Sequence, residues 1–256
     1  MPELPEAETI ARTLAPHIEG RRIQEAHFLA KRAVRGSPPA LEGRRLHRVR
    51  RYGKGVVFDL DGGILFIKLG MTGSLLLNRE PGPYTRAWFR IDGCKLCFND
   101  IRQFGSIALL DRPPGRLGPD PLEMDAADFF ARLRGRRALI KRLLLDQSFV
   151  RGLGNIYTDE ALFRAGIHPL ARSERLSRQR AGRLHAAIVE VLSEAIAAGG
   201  SSVSDYVDAA GRRGRFQEFH QVYRREGQPC PRCGSPILHM AVAQRGTRYC
   251  RRCQKR

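Results

Sequence analysis

The sequence predicts an α+β chain of several parts: an N-terminal helix, a β-sandwich or barrel, a helical domain and a small cysteine-bound β module. Three observations carry this. Residues 23–110 hold short apolar or alternating segments broken by turn sequences. Residues 125–198 change to helical periodicity. The last 36 residues hold four of the six cysteines, in two Cys-x-x-Cys pairs. A length of 256 residues suits one large domain or two small ones, and an apolar fraction of 42% supports a packed core over disorder.

Each element follows in order. Residues 5–18 read as a helix: Pro5 suits the first helical position, Glu6 and Glu8 complement the dipole, and Ile10, Leu14 and Ile18 share a face. Residues 2–4 are a short extended lead-in to it. VVFDL, ILFIKL, SLLLN, WFRI, KLCF and SIALL read as strands, separated by DGG, GMTG, EPGPYT and DG. RPPGRLGPDPL at 112–122 is a linker by its prolines and glycines. AADFFARL, RALIKRLLLD, IYTDEALFRAG and SRQRAGRLHAAIVEVLSEAIAAG read as helices, with GGSSVSDYV and AGRRGRF as loops after them. There is no internal repeat.

The formal charge is 45 − 26 = +19, which favours a polyanionic partner because neutralised phosphates release counterions. The surplus is uneven. Residues 1–110 carry 18 basic and 11 acidic side chains, 111–210 carry 15 and 13, and 211–256 carry 12 and 2. The +10 of the last 46 residues reads as a contact surface for nucleic acid. Arg makes up 39 of the 45 basic residues, which codon bias explains; that bias does not explain the missing acids. The richest apolar stretch, 62–77, is broken by Lys68, so no membrane span is expected. The N-terminal residues lack a basic start and an apolar run, so a cytoplasmic protein without a secretory signal is expected.

Cys230, Cys233, Cys250 and Cys253 form two tight-turn thiolate pairs separated by 16 residues, the ligand set of one tetrahedral zinc. Reduced cytosolic thiols favour metal over disulfides, and four ligands within 24 residues make the site closed and structural. Cys94 and Cys97 form a third pair, but three residues apart on a strand they face opposite sides, and no other pair completes four ligands. They read as core cysteines.

Several segments together resemble the formamidopyrimidine-DNA glycosylases, with the related endonuclease VIII enzymes. They are PELPEAETI at 2–10, RRYGKG at 50–55, KLGMTGSL at 68–75, NDIRQFG at 99–105, LGPDPL at 117–122, LLLDQSFVRGLGNIYTDEALFRAGIHP at 143–169, and the tail PCPRCGSPI…AQRGTRYCRRCQ. They run in family order over essentially the whole chain. The resemblance implies an N-terminal catalytic β-sandwich over 1–116, a helix–two-turn–helix domain with a lesion-capping loop over 117–218, and a C-terminal zinc finger over 219–256. It implies a bifunctional DNA glycosylase/AP lyase of base-excision repair.

The resemblance also implies roles. Pro2, N-terminal once Met1 is removed, would be the nucleophile, its secondary amine forming an iminium with the opened sugar. Glu3 would move protons between sugar and nucleophile, with Glu6 in support. Lys54, set between two glycines, would approach a phosphate closely as part of the catalytic set. Met71, Arg102 and Phe104 would fill the hole left by an extruded nucleotide. Residue by residue, Met71 and Phe104 read as core and Glu3 as a solvated carboxylate. Asn155 reads as an N-cap whose helix end offers N–H groups to a phosphate, and the resemblance adds a side-chain contact to the lesion's phosphate. Arg245 would grip phosphates from the zinc finger, and 211–219 would form the capping loop. Lys68 and Arg86 stand where many members carry His, and Gln103 where they carry a basic residue. The first two keep phosphate contact; the third bears on the opposite base.

The expectation is therefore a monomeric, nucleoid-associated enzyme with one structural Zn2+, removing 8-oxoguanine and formamidopyrimidines from damaged double-stranded DNA by β,δ-elimination. PELPE favours this over an endonuclease VIII-like enzyme for oxidised pyrimidines. Charge and cysteines alone equally fit a non-catalytic zinc-ribbon nucleic-acid-binding protein; the intact Pro2-Glu3 pair argues against it.

Overall fold

The computed structural model describes residues 2–256; the expected removal of Met1 lies outside the described residues. The chain divides into two compact units. One runs to Gly115 and includes Ile196–Gln217; the other comprises Arg116–Ala195 and Glu218–Arg256.

The first unit begins with helix α1 (Leu4–Ile18), one residue earlier than Pro5 indicated, so Pro5 lies inside its first turn. Its buried face is Leu4, Ala7, Ile10, Ala11, Leu14 and Ile18. Eight antiparallel strands follow as two four-stranded sheets, a sandwich instead of a barrel. One sheet has the order β1 (Ile23–Phe28), β6 (Thr85–Ile91), β7 (Cys94–Asp100), β5 (Gly73–Leu77). The other has β2 (Leu46–Tyr52), β3 (Gly55–Leu60), β4 (Gly63–Lys68), β8 (Ser106–Leu110), and α1 packs on β2 and β3. Val56, Phe58, Leu65, Ile67, Leu75, Phe89, Leu96 and Phe98 fill the core. Strands β1 and β2 (IQEAHF and LHRVRRY) are too polar to stand out as apolar runs.

In the second unit, α2 (Ala126–Arg134) starts where Asp125 accepts the Asp128 N–H at 2.8 Å. Helix α3 (Ile140–Leu145) is shorter than 137–146 because the preceding residues are drawn into extended pairing: Leu139 bridges Arg172, and Ser173 N–H donates to Ala138. Helix α4 (Asn155–Ala165) ends on Gly166 at φ +69°, and α5 runs over Arg178–Ala197. Strands β9 (Leu238–Val242) and β10 (Arg245–Tyr249) form a hairpin. Its two turn residues, Ala243 and Gln244, both have positive φ (50° and 58°), the type I′ pattern usually made by Asn-Gly. Cys230, Cys250, Phe163, Val222 and Ile237 form a small core around it. Among the described residues no helix is long and apolar enough to cross a membrane.

Candidate active site and zinc centre

Pro2 and Glu3 are buried at the start of α1. Glu3 is the N-cap of a reciprocal capping box: its side chain accepts the Glu6 N–H while Glu6 Oε2 accepts the Glu3 N–H at 2.7 Å. Glu6 Oε1 accepts the Ser201 N–H at 2.8 Å, so both oxygens of this 1%-exposed carboxylate are held by backbone. Gly200, at φ +83°, permits this approach; a Cβ there would stand 3.0 Å from Glu6 Oε1. Tyr206 closes the pocket with its hydroxyl donating to Gly199 O at 3.1 Å. Burial and the Glu6 charge push its phenol above the usual range. The solvated carboxylate expected from residue 3 alone is thus corrected. A helix start that must satisfy its own N–H groups draws the side chain inward.

Within the same unit, Gly53 (φ +60°) and Lys54 make the two-residue turn between β2 and β3, leaving Lys54 half-buried. Gly55 is required, since a Cβ would meet the Phe66 ring at 2.5 Å. Gly55 pairs with Lys68, which is exposed, so the two lysines share one end of the sheet.

Met71, Arg102 and Phe104 lie on two loops that Asp100 ties together. Its Oδ1 accepts the Thr72 hydroxyl at 2.5 Å, its Oδ2 accepts the Gly105 N–H at 2.7 Å, and Thr72 Oγ1 accepts the Arg102 N–H at 3.0 Å. Arg86, the extra residue of a β-bulge in β6, donates through Nε to Asp100 O at 2.8 Å. Met71 is 37% and Phe104 53% exposed, so neither is core; the Arg102 guanidinium stands 4.9 Å over the Phe104 ring. Gln103 sits at φ +54°. Asp100 organises this group, and sequence reasoning missed it although it lies inside NDIRQFG.

In the second unit the N-cap of α4 is Gly154, and Asn155 is its first helical residue. Its side chain does not cap: Nδ2 donates to Gly246 O at 2.9 Å, and the buried Oδ1 has no protein partner. That bond joins α4 to the hairpin bearing the exposed Arg245. A Cβ at Gly246 would stand 2.9 Å from His239 Nε2. Three further residues, absent from the sequence expectations, fix the same hairpin and the segment before it. Lys141 Nζ pairs with Asp159 Oδ1 at 2.6 Å with both side chains fully buried, and Asp159 Oδ2 accepts the Arg248 N–H at 3.0 Å. Burial pushes the Asp159 carboxyl up to about 6. Glu160 accepts the backbone N–H groups of Gln221, Val222 and Tyr223 at 2.8–3.0 Å, and burial raises its carboxyl too. In sequence, Asp159 and Glu160 look like an ordinary polar helix face.

The sulfurs of Cys230, Cys233, Cys250 and Cys253 lie within 4.8 Å of one another, with 3.8 Å between Cys230 and Cys253 and 3.5 Å between Cys233 and Cys250. Tetrahedral zinc with bonds of about 2.3 Å separates sulfurs by about 3.8 Å. Burial and the neighbouring thiols push Cys253 up to about 12, so a cation is what lets all four ionise. Gly234 (φ +74°) turns the first pair, donating its N–H to Cys230 O at 2.9 Å. Cys94 and Cys97 are both buried, Cys94 within the sandwich core.

Residues 1–107 match the formamidopyrimidine-DNA glycosylase N-terminal domain, 117–207 its H2TH domain, and 227–256 the zinc finger found in FPG and IleRS. The chain is 52% identical over its whole length to the full formamidopyrimidine-DNA glycosylase of Solibacter usitatus. The crystal structure of the MutM (FPG) protein of Thermus thermophilus superposes with a TM-score of 0.91 at 43% identity, covering 99% of this chain and 98% of that one. Lactococcus lactis Fpg in complex with DNA containing an abasic site has a TM-score of 0.91 at 33% identity, with 99% and 100% coverage. The four-cysteine cluster is accordingly a structural zinc site, and the chain belongs to the formamidopyrimidine-DNA glycosylase family.

Proposed function

We propose that this chain is a bifunctional glycosylase/AP lyase that removes oxidised purines from duplex DNA. The observation that carries the reading is the buried Pro2-Glu3 pair, held at the helix start by the capping box and by Glu6 on Ser201. With Met1 removed, the Pro2 secondary amine attacks C1′ of the damaged nucleotide and the base departs. Glu3 protonates the ring oxygen as the sugar opens, leaving an iminium on Pro2. The iminium acidifies the C2′ protons; loss of one expels the 3′ phosphate, and a second elimination expels the 5′ phosphate. An α-amine titrates near 8, about two units below a lysine, so a neutral fraction exists at physiological pH.

Lys54, Lys68, Arg86, Asn155 and Arg245 hold phosphates around the lesion. Met71 and Phe104 wedge into the vacated stack, and Arg102 bonds the orphaned base. Their exposure suits insertion, since an exposed apolar group gains burial when it enters the stack. The parts work as a catalytic sandwich (1–116), a helix–two-turn–helix domain with its capping loop (117–218) and a zinc finger (219–256), as a monomer on nucleoid DNA. Solved relatives bound to DNA with an abasic site or with carbocyclic 8-oxo-G support a DNA substrate.

Borohydride reduction in the presence of 8-oxoguanine duplex tests the reading. Wild type freed of Met1 gives a covalent protein–DNA adduct, and proteolysis of that adduct leaves the DNA on the peptide that begins at Pro2. Correctly processed wild type that forms no adduct overturns the proposal, and a stronger adduct with oxidised-pyrimidine duplex moves the chain to the endonuclease VIII side.

A further inference from the structure

We propose that an arginine-lined track on the second unit holds the DNA backbone beyond the phosphates assigned to Arg245. The proposal rests on the duplex-DNA reading above.

Two adjoining clefts form the track. The first, about 890 Å³, is lined by Arg136, Arg137, Arg142, Arg172 and Arg245, with Asp146 as its one acid. The second, about 560 Å³, shares Leu139 and Arg172 with it and continues to Arg175, Arg180 and Arg256. Arginines therefore recur from the hairpin tip to the C-terminal residue, with Arg172 paired to Glu174 where the clefts meet. Within the first cleft, Arg136, Arg137, Arg142 and Arg245 are exposed and have no ion-pair partner among the described residues. By contrast, Arg164 pairs with Glu194, Arg248 with Glu226 and Arg151 with Asp120. Asp146, whose Oδ1 accepts both the N–H and the hydroxyl of Ser148, is stabilised as a carboxylate by Arg136 and Arg142 and offsets one charge of the group, leaving the arginines in clear excess. Clustered like charge repels itself, and an arriving polyanion relieves the repulsion.

The walls of the first cleft are built in advance. Ser173 Oγ donates to Arg136 O at 2.8 Å and accepts the Ala138 N–H at 3.2 Å, pinning the arginine loop. On the other wall, the Lys141–Asp159 pair and the bond from Asn155 to Gly246 O hold the hairpin. A site already ordered loses little entropy on binding.

The lining selects the ligand. Guanidinium forks match phosphate oxygens. Neither cleft contains an aromatic side chain on which an unpaired base could stack. The occupant is therefore a duplex backbone, bound without regard to sequence, and not a single strand.

The test uses the full-length zinc-loaded protein and duplexes carrying a non-cleavable abasic analogue, one long and one trimmed to a few base pairs on each side of it. Binding is measured against salt for wild type, the triple variant Arg136→Gln/Arg137→Gln/Arg142→Gln, and the corresponding triple Lys variant. Each lost contact lowers the log–log salt slope by about 0.9, so the Gln variant should lose about 3 in slope on the long duplex and none on the trimmed one. Its affinity for the long duplex should fall at least tenfold at low salt, and the Lys variant should recover the slope. An unchanged slope on the long duplex, or an equal loss on both, overturns the track. A wild type that binds neither duplex overturns the duplex-DNA reading, and the track with it.

Discussion

Glu6 and Glu160 are both buried carboxylates satisfied by backbone N–H groups, one in each compact unit, yet they are built differently. Glu6 closes a box with its neighbour Glu3, three residues away, and also accepts from Ser201. Glu160 draws its three backbone donors from residues 61 to 63 positions later, and Asp159 beside it needs Lys141 as well. The helix start that presents Pro2 and Glu3 is thus satisfied in part by a local box, with the distant Gly200-Ser201 segment completing it. The hairpin that carries Arg245 has no such local device. Buried charge fastens it, which is costly when any partner is removed.

Stripping the metal should give the largest contrast. A structural zinc contributes an apparent 10–16 kcal/mol, about as much as an entire domain's stability. Cys250→Ser, or a strong chelator, should erase the dispersed amide signals of β9 and β10 while those of the sandwich remain. Hairpin signals that persist in protein shown to be metal-free would break the comparison, because the polar network alone would then suffice.

Breaking the ion pair comes next. Lys141→Met leaves Asp159 buried without its cation and should cost about 3–5 kcal/mol in denaturant unfolding. Adding Asp159→Leu should recover most of that loss, because apolar side chains of similar size can replace a buried pair. Glu6→Gln retains one carbonyl acceptor and should cost only about 1–2 kcal/mol. Equal losses for Lys141→Met and Glu6→Gln would mean that the two networks do not differ in kind.

The same contrast explains what could be read from the amino-acid order. Strands from Val56 onward, α1 and the zinc ligands are written in periodicity, in Pro5 and in cysteine spacing, which are all local signals. Pro2, Glu3, Met71 and Phe104 were legible only through family resemblance, since alone they look like a terminus, a solvated acid and core residues. Their exposure or burial is set by tertiary contacts, such as Gly200 beside Glu6 and Asp100 between two loops. Lys141, Asp159 and Glu160 gave no signal, because their partners at 221–223, 246 and 248 are distant in sequence. A β-hairpin between the cysteine pairs was expected and is present, but the place of its turn was unmarked, because Ala243 and Gln244 adopt positive φ without the glycine or asparagine that signals such turns.

His220 offers the smallest and finest test. It is 8% exposed and immediately precedes the segment that binds Glu160. Burial pulls its imidazole down to about 4 from the ordinary 6.5. Between those values the unfolded chain binds a proton that the folded chain lacks, so stability is full above 6.5 and falls as pH drops towards 4. The slope is about 1.4 kcal/mol per pH unit, with a total of about 3 kcal/mol. Asp159, raised to about 6, contributes with the opposite sign: its stability term is full below 3.8 and is lost as pH rises through 6. The two overlap, so the wild-type curve alone separates neither. Unfolding free energies for wild type and His220→Gln across pH 4 to 8 isolate the histidine. The difference between them should slope within the 4 to 6.5 window and be flat above it. A difference that is flat throughout would show that protonating His220 costs the fold nothing. The seam at 220–223 would then be as indifferent to acid as a surface loop, despite the three N–H groups it gives to Glu160.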